Sequence, residues 1–518
     1  MFFLYDLFHP SNAILLKYSF KISASNKSKE LNFLLIYPYL FINGLNFLTR
    51  AIFPCIILQG IRMVYNIVKK QINFRQINQR KLFPKFYMTV KTKFYICIII
   101  AILWMLLSYY IGKRWIYDLA ELTSLPIAIL IISGIALLPG FMNTFLVSSL
   151  ILDKQPALKS TNPKDGVTLL IAAYNEEAGI YNTLKHVKSQ NYKGKINVVV
   201  IDNNSNDNTS SEVLRAKKEL NLDVTLIHEK TPGKFNALNT GLKTVTTDYV
   251  ITLDADTLIH KDAILNLVSR IKSAPSDVCA VAGSMLARNS RDNLLAKIQE
   301  WDYFLSIASI KRMQGLYQGT LVAQGAFSLY KTSVVKEVGG WSDAIGEDIV
   351  LTWKMLKLNQ RVYFEPMAVA FTDVPTKLSH FIKQRSRWAR GMIEGLREVK
   401  PWQLPTKFYK FLTGIDLIII FMDFSYTFFW IPGLILAVFF RKYYIVGPVI
   451  IFVLPLTLIS FYILYRYQAN VVFKKLNLEV RKNFLGFALF ILTYQIIMSP
   501  VSLYGYIQEL IGTKRTWK

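Results

Sequence analysis

An α/β domain with a doubly wound, mainly parallel sheet, inserted between N- and C-terminal transmembrane helices, is the fold class this sequence predicts. Two observations lead to it. Hydrophobic residues make up 52% of the 518-residue chain and gather in runs at 94–111, 122–152, 411–440, 445–465 and 484–506. Each run is close to or beyond the ~20 residues of helix that cross a hydrocarbon core. Between 153 and 405 the composition turns mixed and charged, and short apolar runs alternate with helical patterns. That alternation marks parallel strands joined by crossover helices. The expected parts are 1–93, apolar or interfacial and then basic; 94–152, a transmembrane hairpin; 153–405, the enclosed domain with interfacial helices; and 406–518, the C-terminal transmembrane helices.

The first 20 residues lack the basic start, apolar core and small-residue cleavage site of a secretory signal. Residues 31–68 are apolar but broken by Pro38, Gly44, Arg50, Pro54, Gly60 and Arg62; one span, two spans and an interfacial hairpin all fit. Residues 69–93 then carry eight Lys and Arg and no acid, and 466–483 is a second basic stretch between apolar runs. The net charge of +27 is therefore placed beside spans, where it meets anionic lipid headgroups and marks the cytoplasmic side. Membrane lipids are expected partners and nucleic acid is not. The hairpin returns the chain to the cytoplasm, which puts the central domain on that side of a multi-pass cell membrane. Three C-terminal spans would leave Lys514, Arg515 and Lys518 outside, against this tendency, so the parity stays open. Cys55, Cys97 and Cys279 are scattered without CxxC spacing, and the five histidines do not cluster. Neither a disulfide frame nor a zinc site is indicated.

The central elements follow in order. Residues 167–173 form a continuously apolar run, as in a strand buried on both faces. Tyr174-Asn175-Glu176-Glu177 is expected to open a helix, with acids where the helix dipole favours them. Residues 196–201 give the next strand, ending at Asp202, and Asp207-Asn208-Thr209-Ser210 caps another helix. Residues 224–227 and 249–253 complete the strand set. In such sheets ligands bind beyond the carboxyl ends of the strands. Asp202 and Asp254 both fall there.

Asp202 either accepts hydrogen bonds from a base or ribose or shapes a turn with Asn203 and Asn204. Asp254-x-Asp256 places two carboxylates within reach of one hard cation, Mg²⁺ or Mn²⁺, which binds one or two carboxylates together with substrate phosphates. Lys234, after Gly233 at a helix start, sets an ammonium beside a phosphate or sugar oxygen, or is simply solvated. Glu347-Asp348 precedes an amphipathic helix at 349–358; it is a helix cap or a general base acting on an attacking hydroxyl. Gln384, Arg387 and Trp388 share one side of a helix. A planar guanidinium there suits a diphosphate and an indole suits a sugar face. The competing reading is an interfacial helix with Arg385, Arg387 and Arg390 snorkelling to the headgroups.

Taken together in this order, Tyr174-Asn175-Glu176, Asp202, Lys234, Asp254-x-Asp256, Gln324-Gly325-Ala326, Glu347-Asp348 and Gln384-x-x-Arg387-Trp388 resemble the processive family 2 glycosyltransferases. These include cellulose, chitin, hyaluronan and poly-β-1,6-N-acetylglucosamine synthases, and the likeness covers about 167–398. It implies a GT-A-like domain using a divalent cation and a UDP-sugar, with a polysaccharide or lipid-linked acceptor; accessory subunits fit the same picture. By position, Asp202 and Asp254 would contact the nucleotide, and Tyr174 and Glu176 would line the base pocket. Asp256 would hold the metal, Lys234 would lie near the donor, and Asp348 would be the base with Glu347 beside it. Gln384, Arg387 and Trp388 would bind the diphosphate and the acceptor end, and Gly325 would sit near the acceptor sugar. The wording of Gln324–Lys331, Gly339-Gly340-Trp341 and Glu347-Asp348-Ile349 leans to the poly-N-acetylglucosamine branch and to UDP-N-acetylglucosamine. Asp202-Asn203 lacks the second acid of many relatives, and Gln324 stands where Ser or Gly is frequent. A non-processive enzyme adding one sugar to a lipid shares these motifs. A transporter with a nucleotide-sensing domain would explain neither Asp348 nor the Gln384–Trp388 helix.

Overall fold

The computed structural model describes residues 88–154, 156–446 and 450–514. The expectations for the apolar stretch 31–68, Cys55, most of the basic run, Arg515 and Lys518 lie outside the described residues.

Helix α1 (Val90–Leu122) starts at Thr89, whose hydroxyl accepts the Thr92 N–H at 3.1 Å. It outruns the expected span and ends in a polar segment. Helix α2 (Leu125–Leu152) opens with Pro126 in its first turn, where no N–H is missed. Strands β1 (Val167–Ala173), β2 (Ile196–Asp202), β3 (Val224–His228) and β4 (Tyr249–Asp254) alternate with helices α3 (Ile180–Lys188), α4 (Thr209–Glu219) and α5 (Lys234–Lys243). Every residue of β1 is buried, which is why its apolar run is continuous and not alternating.

Beyond β4 come β5 (Leu258–Ile259), α6 (Ala263–Ser273), β6 (Val278–Ala287), α7 (Leu294–Tyr303) and α8 (Lys311–Leu316), the last two joined by a π-helical turn at Phe304–Ile310. Strand β7 (Phe327–Lys331), helices α9 (Thr332–Glu337) and α10 (Glu347–Lys357), strand β8 (Arg361–Thr372) and helix α11 (Leu378–Glu398) close the domain.

The eight strands form one sheet in the order β3-β2-β1-β4-β7-β6-β8-β5. The β3-β2-β1-β4 half is parallel, as expected. The other half is mixed: β7 runs antiparallel to β4 and β6, β5 antiparallel to β8, and only β6 and β8 are parallel. The expectation of a mainly parallel sheet is corrected there. Helices α3, α4 and α5 each return the chain to start a parallel strand, whereas β7 enters from a loop beside the end of β4. A second correction concerns 174–177, which is a loop and not a helix start. Asn175 is left-handed at φ 55°, and the N–H groups of Asn175, Glu176 and Glu177 go to Ser205, Thr209 and Asp207. Those side chains take the donors that a helix would have used.

Helices α12 (Lys407–Phe440), α13 (Ile450–Tyr467) and α14 (Phe484–Leu510) follow. Among the described residues, four helices are long and apolar enough to cross a membrane: α1, α2, α12 and α14. The span expected at 445–465 corresponds to α13, which contains Pro455 and is not one of the four. One face of the sheet packs in a core running from Leu170 and Ile201 through Tyr317 to Phe94, Phe145 and Leu412 of α1, α2 and α12. The opposite face has its own core around Leu169, Ile171, Leu253 and Leu267. Cys97 and Cys279 are free and buried, one in each of two strands or helices of the first core.

Candidate active site

Strand β1 lies between β2 and β4, with Ala173 opposite Asp202 and Ala172 opposite Asp254. Two strand spacings separate the two acids, about 10 Å. Asp202 sits at the end of β2, and its hydrogen bonds shape the turn that follows. Its Oδ1 accepts the Ser205 N–H at 3.0 Å, Oδ2 accepts the Ser210 hydroxyl, and His228 Nδ1 lies 3.6 Å away. The adjacent Asn203 was not singled out by sequence. It binds the Thr231 carbonyl at 2.7 Å and accepts the Gly233 N–H at 2.7 Å, which fixes the turn into α5. Gly233 adopts φ 130°, a conformation only glycine takes without strain.

That turn delivers Lys234, which is not solvated. Its Nζ lies 2.7 Å from Asp254 Oδ1 and 3.3 Å from Glu347 Oε1. Burial works against its charge, but Asp254, Glu347 and Asp348 outweigh burial and hold the ammonium above the ordinary lysine value. Glu347 itself is pushed up to about 7 by burial, with Lys234 opposing the shift and Asp348 adding to it. The lysine thus joins the end of β4 to the start of α10.

Asp348 is held beside it. Its Oδ2 accepts the Gly325 N–H at 3.0 Å and its Oδ1 accepts the Ile349 N–H at 2.8 Å. A Cβ on Gly325 would stand 3.0 Å from Lys234 Nζ and 3.3 Å from Glu347 Oε1, so this residue touches both partners. The start of α10 is fixed from outside by Gly346, whose N–H donates to Glu394 at 2.9 Å and whose backbone abuts Gly391 of α11.

Asp256 stands exposed at the rim, past the end of β4. Protein packed on its inner side and the charges of Asp254 and Glu176 hold its carboxyl above the ordinary aspartate value. Among the described residues there is no group of three or more His, Cys, Asp or Glu that alone could hold a metal ion. One or two crowded carboxylates at an open rim fit a hard cation shared with a diphosphate, and do not fit a closed structural site. Glu176 is thereby placed near Asp256, and Tyr174 is half-buried in the same loop.

On α11, Gln384, Arg387 and Trp388 share a side as expected. Trp388 is 42% exposed, and Gln384 Oε1 is buried without a hydrogen-bond donor among the described residues. The snorkelling alternative for Arg385 and Arg390 is not what the fold contains. Arg385 is buried, 2.7 Å from Asp302 and 4.0 Å from the Trp388 ring centroid. Tyr303, whose hydroxyl feels the charges of Arg385, Asp256 and Asp254, lies 6.3 Å from Trp388 between ring centres. Arg390 and Arg397 both bind Glu509 of α14 at 3.1 Å, and a Cβ on Gly505 would sit 2.4 Å from the Ser386 carbonyl oxygen. Tight packing of α11 on α14 therefore needs that glycine. Asp302, Tyr303 and Glu509 carry no motif, and only their places in the fold identify them.

Residues 168–339 match the family model described as glycosyl transferase family 2. The poly-beta-1,6-N-acetyl-D-glucosamine synthase of Staphylococcus aureus (strain COL) is 38% identical over 241 residues, 46% of this chain and 57% of that protein. The synthase of the same name from Staphylococcus epidermidis is 38% identical over 229 residues, 44% of this chain and 54% of that protein. The chain thus spans little more than half the length of these curated relatives. Among solved structures, a mannosyltransferase from Pyrobaculum calidifontis aligns at 18% identity and a TM-score of 0.49, covering 82% of this chain and 100% of the other. That last likeness is too distant to bear on chemistry.

Proposed function

We propose that this chain, whose residues 168–339 match the family model for glycosyl transferase family 2, is a membrane-embedded, inverting enzyme of GT-A-like fold that polymerises a β-linked polysaccharide from a UDP-sugar and exports it. UDP-N-acetylglucosamine is the donor favoured by the 38% identity to the two synthases. The observation that carries the reading is Lys234, within 3.3 Å of both Asp254 and Glu347. It brings the Asp254-x-Asp256 loop and the Glu347-Asp348 pair to one place, where a donor and an acceptor hydroxyl can meet.

In this reading Asp202 and Asp254 bind the nucleotide, with Tyr174 and Glu176 along the base. A divalent cation, Mg²⁺ or Mn²⁺, held by Asp256 with Asp254 nearby, would neutralise the diphosphate leaving group. Lys234 balances the acids on the donor side and Arg387 faces the diphosphate. Asp348 takes the proton from the attacking hydroxyl, its carboxylate aimed by the N–H groups of Gly325 and Ile349. Attack opposite the leaving group inverts the anomeric carbon. Trp388 and Gln384 support the acceptor end near Gly325. The four long apolar helices and the Lys and Arg beside them support a multi-pass membrane protein with this domain cytoplasmic.

Incubating membranes holding the full chain with separately labelled UDP-sugars and Mn²⁺, then sizing and digesting the product, tests the proposal. A long polymer made from UDP-N-acetylglucosamine is expected. A single sugar on a lipid would make the enzyme non-processive, polymer from another donor would move it to a hyaluronan-, chitin- or cellulose-type synthase, and no turnover of any UDP-sugar would reject the reading.

A further inference from the structure

Lys311 opens α8, directly after the π-helical turn, and is only 9% exposed. Its ammonium donates to the Val322 carbonyl at 3.0 Å and to Gln324 Oε1, and both of these partners are neutral. Burial pushes it down to about 7, with the charge of Asp348 opposing the shift. Burying an ammonium against neutral acceptors costs free energy, and an apolar side chain of similar length would be cheaper for the fold. A positional role explains why a lysine is there.

The contacts around it describe that role. Gln324 passes the constraint on: its Nε2 donates to the Gly283 carbonyl at 2.5 Å and its own carbonyl accepts the Ser328 hydroxyl at 2.8 Å. The next residue, Gly325, donates its N–H to Asp348 Oδ2 at 3.0 Å. On the other side, the Ala323 N–H goes to Thr352 Oγ1 at 3.0 Å, and that hydroxyl donates to the Asp348 carbonyl at 2.7 Å. Segment 322–325 is therefore clamped between Lys311 and Asp348.

We propose that Lys311 is a positioning residue, which acts through Gln324 to hold the Gly325 N–H where it orients the Asp348 carboxylate. The inference rests on the reading of Asp348 as the base. It also gives the buried Gln324 a task, since its amide oxygen meets the ammonium.

The test uses the full chain in membranes, with Lys311→Met, Gln324→Leu and the double variant, assayed for polymer formation from UDP-N-acetylglucosamine and for UDP binding by calorimetry. Each single variant should lower kcat by roughly 10- to 100-fold, the scale of a slight misplacement of a reacting group. The donor KM and the UDP Kd should stay within about twofold, because Lys234 keeps its own ion pairs with Asp254 and Glu347. The double variant should be no worse than the poorer single one, because the two residues act in series. An unchanged kcat in Lys311→Met, or losses that multiply in the double variant, overturns the inference. So does loss of UDP binding alongside kcat, which would make Lys311 a prop for the whole fold. A wild-type chain with no turnover overturns the functional reading and this inference with it, whereas wild-type turnover with normal variants overturns this inference alone.

Discussion

The ammonium of Lys234 lies 2.7 Å from Asp254 and, on its other side, 3.3 Å from Glu347, an acid on a helix far along the chain. One cation thus neutralises the end of β4 and the start of α10 at once. Replacing it with methionine leaves two acids facing each other, one of them buried. Removing one partner of a buried ion pair usually costs about 3–5 kcal/mol; with Asp254 a third exposed, we expect the lower end. Lys234→Met should lower the thermal midpoint and weaken UDP binding, and adding Glu347→Gln should recover part of the stability. A midpoint equal to wild type would remove Lys234 from this role.

Asp348→Asn keeps the shape of the side chain and removes its basicity. Polymer formation should fall by ~10²-fold or more, the usual scale for a positioned base, while calorimetric UDP-sugar affinity stays near wild type. Equal turnover in the variant would take Asp348 out of the chemistry.

Asp256 stands at the rim with the charges of Asp254 and Glu176 upon it. Asp256→Ala should weaken UDP binding in Mn²⁺ but change it little in EDTA, because only the metal-linked part is lost. Titrations with the same Mn²⁺ enhancement as wild type would count against a cation here.

Arg385 is buried between Asp302 and the Trp388 ring. Arg385→Met leaves Asp302 unneutralised and the indole without its support. A stability loss of roughly 3 kcal/mol is expected, with altered Trp388 fluorescence and a raised KM for the acceptor. Wild-type melting together with wild-type acceptor affinity would dismiss the arrangement.

Much of the fold was legible because β1 to β4 are short apolar runs separated by helices of ordinary amphipathic pattern. Strands β5 to β8 were not read at all, and their mixed directions could not have been, since an apolar run looks the same in either direction. The 174–177 segment was misread because its acids fit a helix start, while the donors of its backbone are taken by Ser205, Thr209 and Asp207 from another loop. In the site, Asp254, Asp256, Glu347 and Asp348 were visible as motifs. The clamp from Lys311 to Gln324 and the pairing of Arg385 with Asp302 were not, because they join residues whose nearness only the folded chain creates.

The seat of Gly505 under Ser386, with Glu509 gripping Arg390 and Arg397, makes α14 and the Trp388-bearing helix one rigid lever. If α14 spans the membrane as proposed, a thinner bilayer that tilts it would tilt the tryptophan with it. Reconstitution across a series of acyl-chain lengths should shift polymer length, and Gly505→Leu, which pries the two apart, should erase that dependence.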